Sequence, residues 1–235
     1  MSEPFPYEQR AKNFDWSVAE RELGWRPGDP INIGWYCSDR ICRLGQGAKT
    51  ALIWEGSEGR SRTYSFDDLR VLSNTIGQYL RRLGIGPGDR VCLFMDRIPE
   101  LYIGFLGVLK IGAIVQPLFS AFGDESLFTR LKDAETAAIV TQRKHLAKVR
   151  KIRDTLPSLR HIIVADGAGA SLQEREVVLT LDEEPRVEEF ELHDTRAETP
   201  SIPACPASLF SSTGMAIALP TILASLGASI APTRS

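Results

Sequence analysis

The segment from Arg97 to Leu127 constrains the fold most, because it contains a helix pattern and a strand pattern that both lack a polar face. Pro99 suits the first turn of a helix, where its missing N–H carries no cost. Residues 101–109 are almost all apolar, and a helix that is apolar on every side is buried. Gly112 is placed to end this helix, and residues 113–118 suit a strand covered on both faces. These features predict the core of a layered α/β domain.

The flanking sequence alternates between strand and helix patterns. A hairpin is predicted first, with a strand from Thr50, a turn at GSEG and a returning strand at RTY. Ser65 is expected to cap a long amphipathic helix that ends at Gly84. Further elements are predicted as strand 90–95, helix 124–134, strand 137–141, helix 143–156, strand 161–165 and a short strand at 177–181. The alternation predicts a mainly parallel sheet with helices on both sides.

We divide the chain into three parts. Residues 1–49 are expected to form an irregular cap, and residues 50–214 the α/β domain itself. Within that domain the acidic run 182–198 is expected to be a solvated connector. Residues 215–235 are a divergent apolar tail, whose apolar run is too short for a membrane span and is interrupted by Pro220 and Gly227.

The composition excludes several classes of function. A net charge of −2 offers no basic footprint for nucleic acid and no polybasic patch for a membrane surface. The N-terminus lacks the apolar core of a secretion signal. The 4 cysteines are too few and too scattered for a disulfide framework and show no zinc spacing, so they are expected to be reduced, non-catalytic thiols. We therefore expect a cytoplasmic protein.

Three groups of residues have the composition of a binding or catalytic site, but their sequence context does not favour such a role. The glycines of GIGPGD follow a helix and precede a strand, which is the reverse of a dinucleotide-binding loop, so an ordinary turn is predicted. The histidines are isolated in the sequence and are interpreted as surface or strand residues: His145, His161 and His193. The basic residues of helix 143–156 are interpreted as a solvated face in preference to an anion site: Lys144, Lys148, Arg150, Lys151 and Arg153.

One segment has the composition of a phosphate-binding loop. A short apolar run at Leu209 and Phe210 leads into Ser211, Ser212, Thr213 and Gly214. Hydroxyls and free backbone N–H groups in such a loop donate hydrogen bonds to phosphate oxygens, and glycine permits close approach. These four residues are the candidate nucleotide-binding residues, whereas no catalytic residue and no metal ligand is assigned.

The sequence resembles the acyl-adenylate-forming (AMP-binding) superfamily, and within it the AMP-forming acetate–CoA ligases, or acetyl-CoA synthetases. The resemblance covers residues 50–210 best. It rests on the segments RTYSF with Leu69, GPGDRV at 86–91, RIPEL at 97–101, LKIGA at 109–113 and PLFSAFG at 117–123. The last run is the most specific for the acetate–CoA ligases. Residues 50–214 would then be part of an adenylation domain.

The resemblance implies a two-step reaction on small molecules. ATP and acetate, or a similar carboxylate, give an acyl-adenylate and pyrophosphate, after which the CoA thiol takes the acyl group. The implied cofactors are ATP, Mg²⁺ and CoA, because charge building on the phosphates needs cations and hydrogen-bond donors. The family's phosphate loop falls at Phe210 to Gly214, which gives Ser211–Gly214 their implied role.

The resemblance ends abruptly inside this loop. After Gly214 the family's Pro-Lys-Gly is absent and the apolar tail follows. One hypothesis is a disrupted reading frame near residue 208, which translating the other two frames would test. The chain is then an incomplete copy whose exposed sheet edge favours self-association. The alternatives are a non-catalytic fragment or binding module, and a dinucleotide-binding domain, which the position of the glycines disfavours.

Overall fold

The computed structural model describes residues 15–57, 59–166 and 171–203. The strands are β1 Thr50–Glu55, β2 Ser61–Ser65, β3 Arg90–Met95, β4 Ile114–Phe119, β5 Ala138–Thr141, β6 His161–Val164 and β7 Glu176–Val178. The helices are α1 Trp16–Leu23, α2 Ile33–Tyr36, α3 Asp39–Ile41, α4 Phe66–Arg82, α5 Pro99–Lys110, α6 Asp124–Asp133 and α7 Arg143–Ile152. A π-helical turn lies at Cys42–Gln46 and a 3-10 turn at Arg153–Thr155.

A parallel sheet of five strands, in the order β4-β3-β5-β6-β7, forms the centre of the described chain. The strands β1 and β2 form a separate antiparallel hairpin, as predicted. Helices α4 and α5 pack on one face of the sheet, and α6 and α7 on the other. Side chains alternate along β3, so that Leu93 belongs to the first core and Phe94 to the second. The predicted α/β class with a mainly parallel sheet is confirmed.

Helix α4 begins as its sequence predicts. The Asp68 backbone N–H donates to Ser65 Oγ at 3.1 Å, and the Ser65 N–H donates to Asp68 Oδ2 at 2.8 Å. This reciprocal pair is a capping box, which satisfies two backbone donors that the first helical turn leaves free. The helix also places Asp67 and Asp68 in its first turn, where the helix dipole favours negative charge.

The GIGPGD segment is the turn that the sequence predicts. It joins α4 to β3, and its Gly84 and Gly88 have φ angles of +73° and +78°, which favour glycine over residues with a Cβ. The Asp89 side chain closes the turn, since its Oδ2 accepts from the Gly86 N–H at 2.9 Å. These glycines therefore serve the chain reversal and open no helix.

The prediction that the strand after Gly112 is covered on both faces is wrong for its second half. Val115 and Gln116 of β4 are buried, whereas Pro117 and Phe119 are exposed. The reason is that β4 is the outer strand of the described sheet, beyond β3. Proline is tolerated at such an edge because it lacks the N–H that an inner strand would have to donate.

The two segments expected to be irregular or solvated are more ordered than predicted. The described part of the expected cap contains α1, α2, α3 and the π-helical turn. The acidic run 182–198 has no regular structure, but it lies against α4, where Glu184 pairs with Arg82 and Glu188 with Arg70. Within the described ranges, no helix combines the length and the apolar composition that a membrane crossing requires.

Candidate functional site

The strand order reverses at the carboxyl end of β3. From β3 the chain first adds β4 on one side and then crosses to add β5 on the other. In open parallel sheets, ligands bind in the crevice outside the carboxyl ends of the strands at such a switch point. The residues that immediately follow these strands are Asp96, Ser120 and Gln142. They define the candidate functional site, which we call the carboxyl-edge cluster together with Lys144 and His145.

Asp96 is the centre of the carboxyl-edge cluster. Its backbone N–H donates to Gln142 Oε1 at 2.8 Å, which joins the ends of β3 and β5. Its carboxylate accepts from Lys144 Nζ, and its Oδ1 lies 3.0 Å from Nε2 of His145. The hydrogen bond from Lys144, with those from Ser120 and His145, lowers the pKa of Asp96 to about 2.

The low pKa of Asp96 suits a positioning role better than the role of an acid or a base. A group that transfers protons works best when its pKa lies near the operating pH. The Asp96 carboxylate stays ionised at neutral pH, and 37% of its side chain is exposed to solvent. It can therefore orient donor groups at the end of the sheet without exchanging a proton with them.

An exposed aromatic side chain lies next to the carboxyl-edge cluster. Phe119 precedes Ser120 and is 64% exposed, an unusually open position for a phenylalanine. Its ring meets Phe122 edge-on, with 6.1 Å between the ring centroids. This contact leaves much of the ring in solvent, where it can stack against a planar or apolar group.

The basic side chains of α7 are exposed or partly exposed, as the interpretation of a solvated face expects, and they also bind groups within the protein. Lys148 Nζ donates to the carbonyl oxygens of Ser120 at 3.3 Å and Phe122 at 3.0 Å, so it fixes the loop after β4. The other four pair with carboxylates: Lys144 with Asp96, Lys151 with Asp124, Arg150 with Glu176, and Arg153 with Glu176 and Asp154. Lys144 and Lys148 thus tie α7 to the residues that follow β3 and β4, whereas Arg150 and Arg153 hold Glu176 at the start of β7.

The histidines are not equivalent. His145, expected to be an isolated residue, contacts Asp96 and packs its ring 5.3 Å from that of Phe94. His161 lies in β6, where burial lowers its pKa, and the ring of His193 lies over Gly112. The sequence separation of 49 residues between Asp96 and His145 hid their contact. The signal that could have found it is that residues following parallel strands share one edge of the sheet.

The described cysteines have properties of inert thiols. Burial raises the pKa of Cys37 and of Cys42 to about 11, and it raises that of Cys92 well above its usual range. A raised pKa disfavours the thiolate, which is the reactive form. Among the described residues, no three His, Cys, Asp or Glu side chains converge to hold a metal ion.

The predicted phosphate-binding residues Ser211, Ser212, Thr213 and Gly214 lie outside the described residues, as does Cys205, so their roles stay predictions. The structure describes the chain that precedes them as far as residue 203. The Val115 N–H donates to the Ser201 carbonyl oxygen at 2.9 Å, which brings the chain beside the outer edge of β4 ten residues before Ser211.

Comparisons with known proteins agree on one family. A family model described as "AMP-binding enzyme" matches residues 43–206. The acetyl-coenzyme A synthetase of Bacillus subtilis is 36% identical over 166 residues, covering 70% of this chain and 28% of that protein. The acetyl-coenzyme A synthetase of Deinococcus radiodurans is 33% identical over 168 residues, covering 68% of this chain and 26% of that protein. The chain therefore spans only about a quarter of the length of these relatives.

Solved structures give the same result at the level of the fold. An acyl-CoA synthetase of Brucella canis superposes with a TM-score of 0.71 at 26% identity, covering 82% of this chain and 34% of that one. The anthranilate CoA ligase AuaEII, solved with anthranoyl-AMP, superposes with a TM-score of 0.61 at 24% identity, covering 72% of this chain and 31% of that one. The second likeness supports the fold alone.

Proposed function

Because the chain belongs to the family of AMP-binding enzymes, we propose that it carries part of an acyl–CoA ligase that activates acetate or a similarly short carboxylate. The observation that carries the proposal is the identity of 36% to an acetyl-coenzyme A synthetase over 166 residues, which is 70% of this chain. The cytoplasmic location expected from the scattered cysteines belongs to the same proposal.

The proposed reaction has two steps. A carboxylate oxygen attacks the α-phosphorus of ATP, so that the acyl-adenylate forms and pyrophosphate leaves. The CoA sulfur then attacks the acyl carbon, and AMP leaves with the electron pair of the broken C–O bond. Negative charge builds on phosphate oxygens in the first step, so that step needs hydrogen-bond donors and cations placed in advance.

We assign the donor role to Ser211, Ser212, Thr213 and Gly214, through their hydroxyl and backbone N–H groups. Mg²⁺ would supply charge neutralisation to ATP. The described residues offer no cluster of metal-binding side chains, so we assign none of them as a ligand to the ion. The described part of the chain contributes the parallel sheet, and Ser201 is hydrogen-bonded to its outer strand.

We further propose that the carboxyl edge of the sheet contacts a nucleotide-bearing substrate, ATP or CoA. The exposed ring of Phe119 offers a stacking surface, and the Lys144 side chain, 54% exposed, offers a positive charge nearby. Both are features that adenine rings and phosphates bind. The pairing of Lys144 with Asp96 holds the ammonium group in place without burying it.

A specific observation favours the alternative, a chain that binds without ligase turnover. The Pro-Lys-Gly expected after the phosphate loop is absent, and MAIALPTILASLGASIAPTRS follows Gly214 instead. The lysine of that motif would be a cation beside the phosphates, so its loss weakens the charge neutralisation that the first step requires. An incomplete copy of the enzyme, as the reading-frame hypothesis supposes, would behave in this way.

Acetate-dependent exchange of labelled pyrophosphate into ATP tests the proposal on the full chain. We expect exchange above a blank without enzyme, and a loss of roughly 10²-fold on Ser212→Ala, the usual cost of one preorganised donor. Ser57→Ala is the matched control, because Ser57 is exposed in the hairpin turn.

A rate equal to the blank would overturn the ligase proposal. Equilibrium dialysis with labelled ATP then separates the alternatives. Retention of ATP supports a binding module, and the absence of retention supports an inactive fragment.

A further inference from the structure

Two parts of the chain outside the parallel sheet meet across the outer side of α4 and α5. One is the N-terminal segment, residues 28–42, and the other is the acidic run with its continuation, residues 182–199, which we call the strap. They pair directly, because the Ile31 N–H donates to the Thr195 carbonyl at 2.7 Å and Thr195 Oγ1 donates to the Ile31 carbonyl at 2.6 Å. The side chain of Arg196 adds a bond of 2.9 Å to the Gly28 carbonyl.

A buried lysine lies beneath the place where these segments cross the helices. The side chain of Lys110, at the end of α5, is fully buried. Its Nζ is 2.6 Å from Asp39 Oδ2 of the N-terminal segment, and it donates to Asn74 Oδ1 at 2.7 Å and to the Arg70 carbonyl at 3.3 Å. All three N–H donors of the ammonium group therefore have an acceptor.

Asn74 and its neighbour Thr75 carry this network on to the strap. The Asn74 side-chain amide donates to the Val187 carbonyl at 3.1 Å, and the Val187 N–H donates to Thr75 Oγ1 at 3.2 Å. Arg70 binds the strap as well, with bonds of 2.6 Å to the Glu188 carbonyl and 2.8 Å to its carboxylate. Lys110 thus stands between Asp39 on one side and the strap on the other.

A second contact joins the same parts at the end of α5. The Asn32 side-chain amide lies 3.1 Å from the Leu109 carbonyl, 3.2 Å from that of Lys110 and 3.1 Å from that of His193. The His193 N–H in turn donates to the Lys110 carbonyl at 3.1 Å. Backbone and side chain of Lys110 therefore each contact one or both segments.

Stability alone is a weak explanation for a lysine in this place. Replacing a buried ion pair by apolar residues of similar volume is often neutral or stabilising, whereas removing one partner is costly. The hydrogen bonds of one buried ammonium group have defined directions, so they fix the positions of their acceptor groups relative to one another. Asp39 and Asn74 are 35 residues apart in the sequence and share this one donor.

We propose that Lys110 is a buried lock that couples the strap to the N-terminal segment, so that the two are held on α4 and α5 together or released together while the parallel sheet stays folded. The inference does not rest on the proposed ligase activity. It makes a prediction about the coupling: a change at Asp39 must be felt at Val187, although the Asp39 carboxylate bonds to Lys110 and Ser38 and not to the strap.

Hydrogen exchange of the full chain, measured by mass spectrometry, tests the lock. The peptides compared are those from the strap, from the N-terminal segment and from β3. For Asp39→Asn we expect exchange of the strap peptide around Val187 to accelerate roughly 5- to 150-fold, the usual range for coupled sites. The β3 peptide should keep its wild-type rate. Because coupling acts in both directions, Asn74→Ala should also accelerate the peptide around Asp39.

Lys110→Met removes the ammonium group and should release both segments. Lys132→Met is the matched control, since Lys132 is an exposed lysine on α6, on the opposite face of the sheet. If Lys110→Met fails to fold, the two milder variants still decide the matter. The lock is overturned if the strap keeps its wild-type exchange rate in Asp39→Asn, or if all peptides, β3 included, accelerate equally.

Discussion

At the scale of single residues, the informative side chains are charged groups whose partners come from distant parts of the chain. Asp96 and Lys110 show the two extremes. The Asp96 carboxylate is partly in solvent and its pKa is lowered by hydrogen bonds, first of all from Lys144. The pKa of Lys110 is lowered instead by burial, which Asp39 offsets in part. Exposed pairs contribute little to stability, whereas a buried charge that loses its partner is costly.

The pKa of Asp96 should depend on Lys144. For Lys144→Ala we expect it to rise from about 2 towards the ordinary value of 3.8, because the largest cause of the lowering is removed. A carboxyl NMR titration measures it, with Lys151→Ala, which removes the partner of Asp124, as the control. An unchanged pKa would mean that Ser120 and His145 hold the carboxylate by themselves.

The same shift fixes the sign of a pH effect on stability. The folded-state pKa of Asp96 lies below its unfolded value, so the stabilisation is complete above pH 3.8 and is lost as the pH falls towards 2. We expect the difference in unfolding free energy between wild type and Lys144→Ala to shrink over that interval. Because both side chains are partly exposed to solvent, the difference at neutral pH should be at most about 1 kcal/mol.

At the scale of elements, helix α4 links local sequence to the tertiary contacts. Its capping box is written in the sequence from Ser65 to Asp68. Its exposed side carries Arg70 and Arg82, which pair with acidic residues of the strap. The start of this helix therefore depends on neighbouring residues, whereas its packing depends on a distant part of the chain.

Removing the cap tests the first of these contributions. Ser65→Ala should lower the free energy of unfolding by about 1 kcal/mol, because the Asp68 N–H loses its acceptor. Urea unfolding monitored by circular dichroism measures the change. Ser126→Ala is the control, since Ser126 is exposed within α6 and alanine favours a helix there. A loss that is equal in both variants would contradict the role of the cap.

At the scale of the whole molecule, the described sheet has an edge that is only partly covered. The Ser201 carbonyl occupies the Val115 N–H of β4, while Phe119 at the end of that strand is exposed. Exposed strand edges with apolar side chains pair with other chains unless charge or proline blunts them. Pro117 blunts this edge at one position.

We accordingly expect the full chain to self-associate. Sedimentation velocity should give an average mass that rises above 26.0 kDa with increasing protein concentration. Phe119→Lys should reduce the association by placing a charge at the edge. Leu44→Lys should leave it unchanged, because Leu44 is comparably exposed but lies in the π-helical turn. A monomer at every concentration would contradict the prediction.

Local patterns in the sequence predicted most of the architecture. The apolar stretch after Pro99, the cap at Ser65 and the glycine turn before β3 each depend on neighbours within a few residues, so they could be located without a structure. The carboxyl-edge cluster was not predicted as a site, and of its members only Lys144 and His145 were considered individually. Its members are separated by up to 49 positions, and only the parallel pairing of β3 with β5 brings Asp96 to His145.

The segment from Arg97 to Leu127 by itself determined that this protein has a buried helix followed by a strand, and its residue pattern resembles that of the family. Only the tertiary structure decided which charged side chains are buried and which groups they pair with. A lysine at the carboxyl end of a helix normally interacts favourably with the helix dipole and keeps its ammonium group in water. Lys110 instead is covered because Asp39, Asn74 and the strap converge on it from distant positions. Such burial depends on long-range packing, which local sequence patterns do not encode.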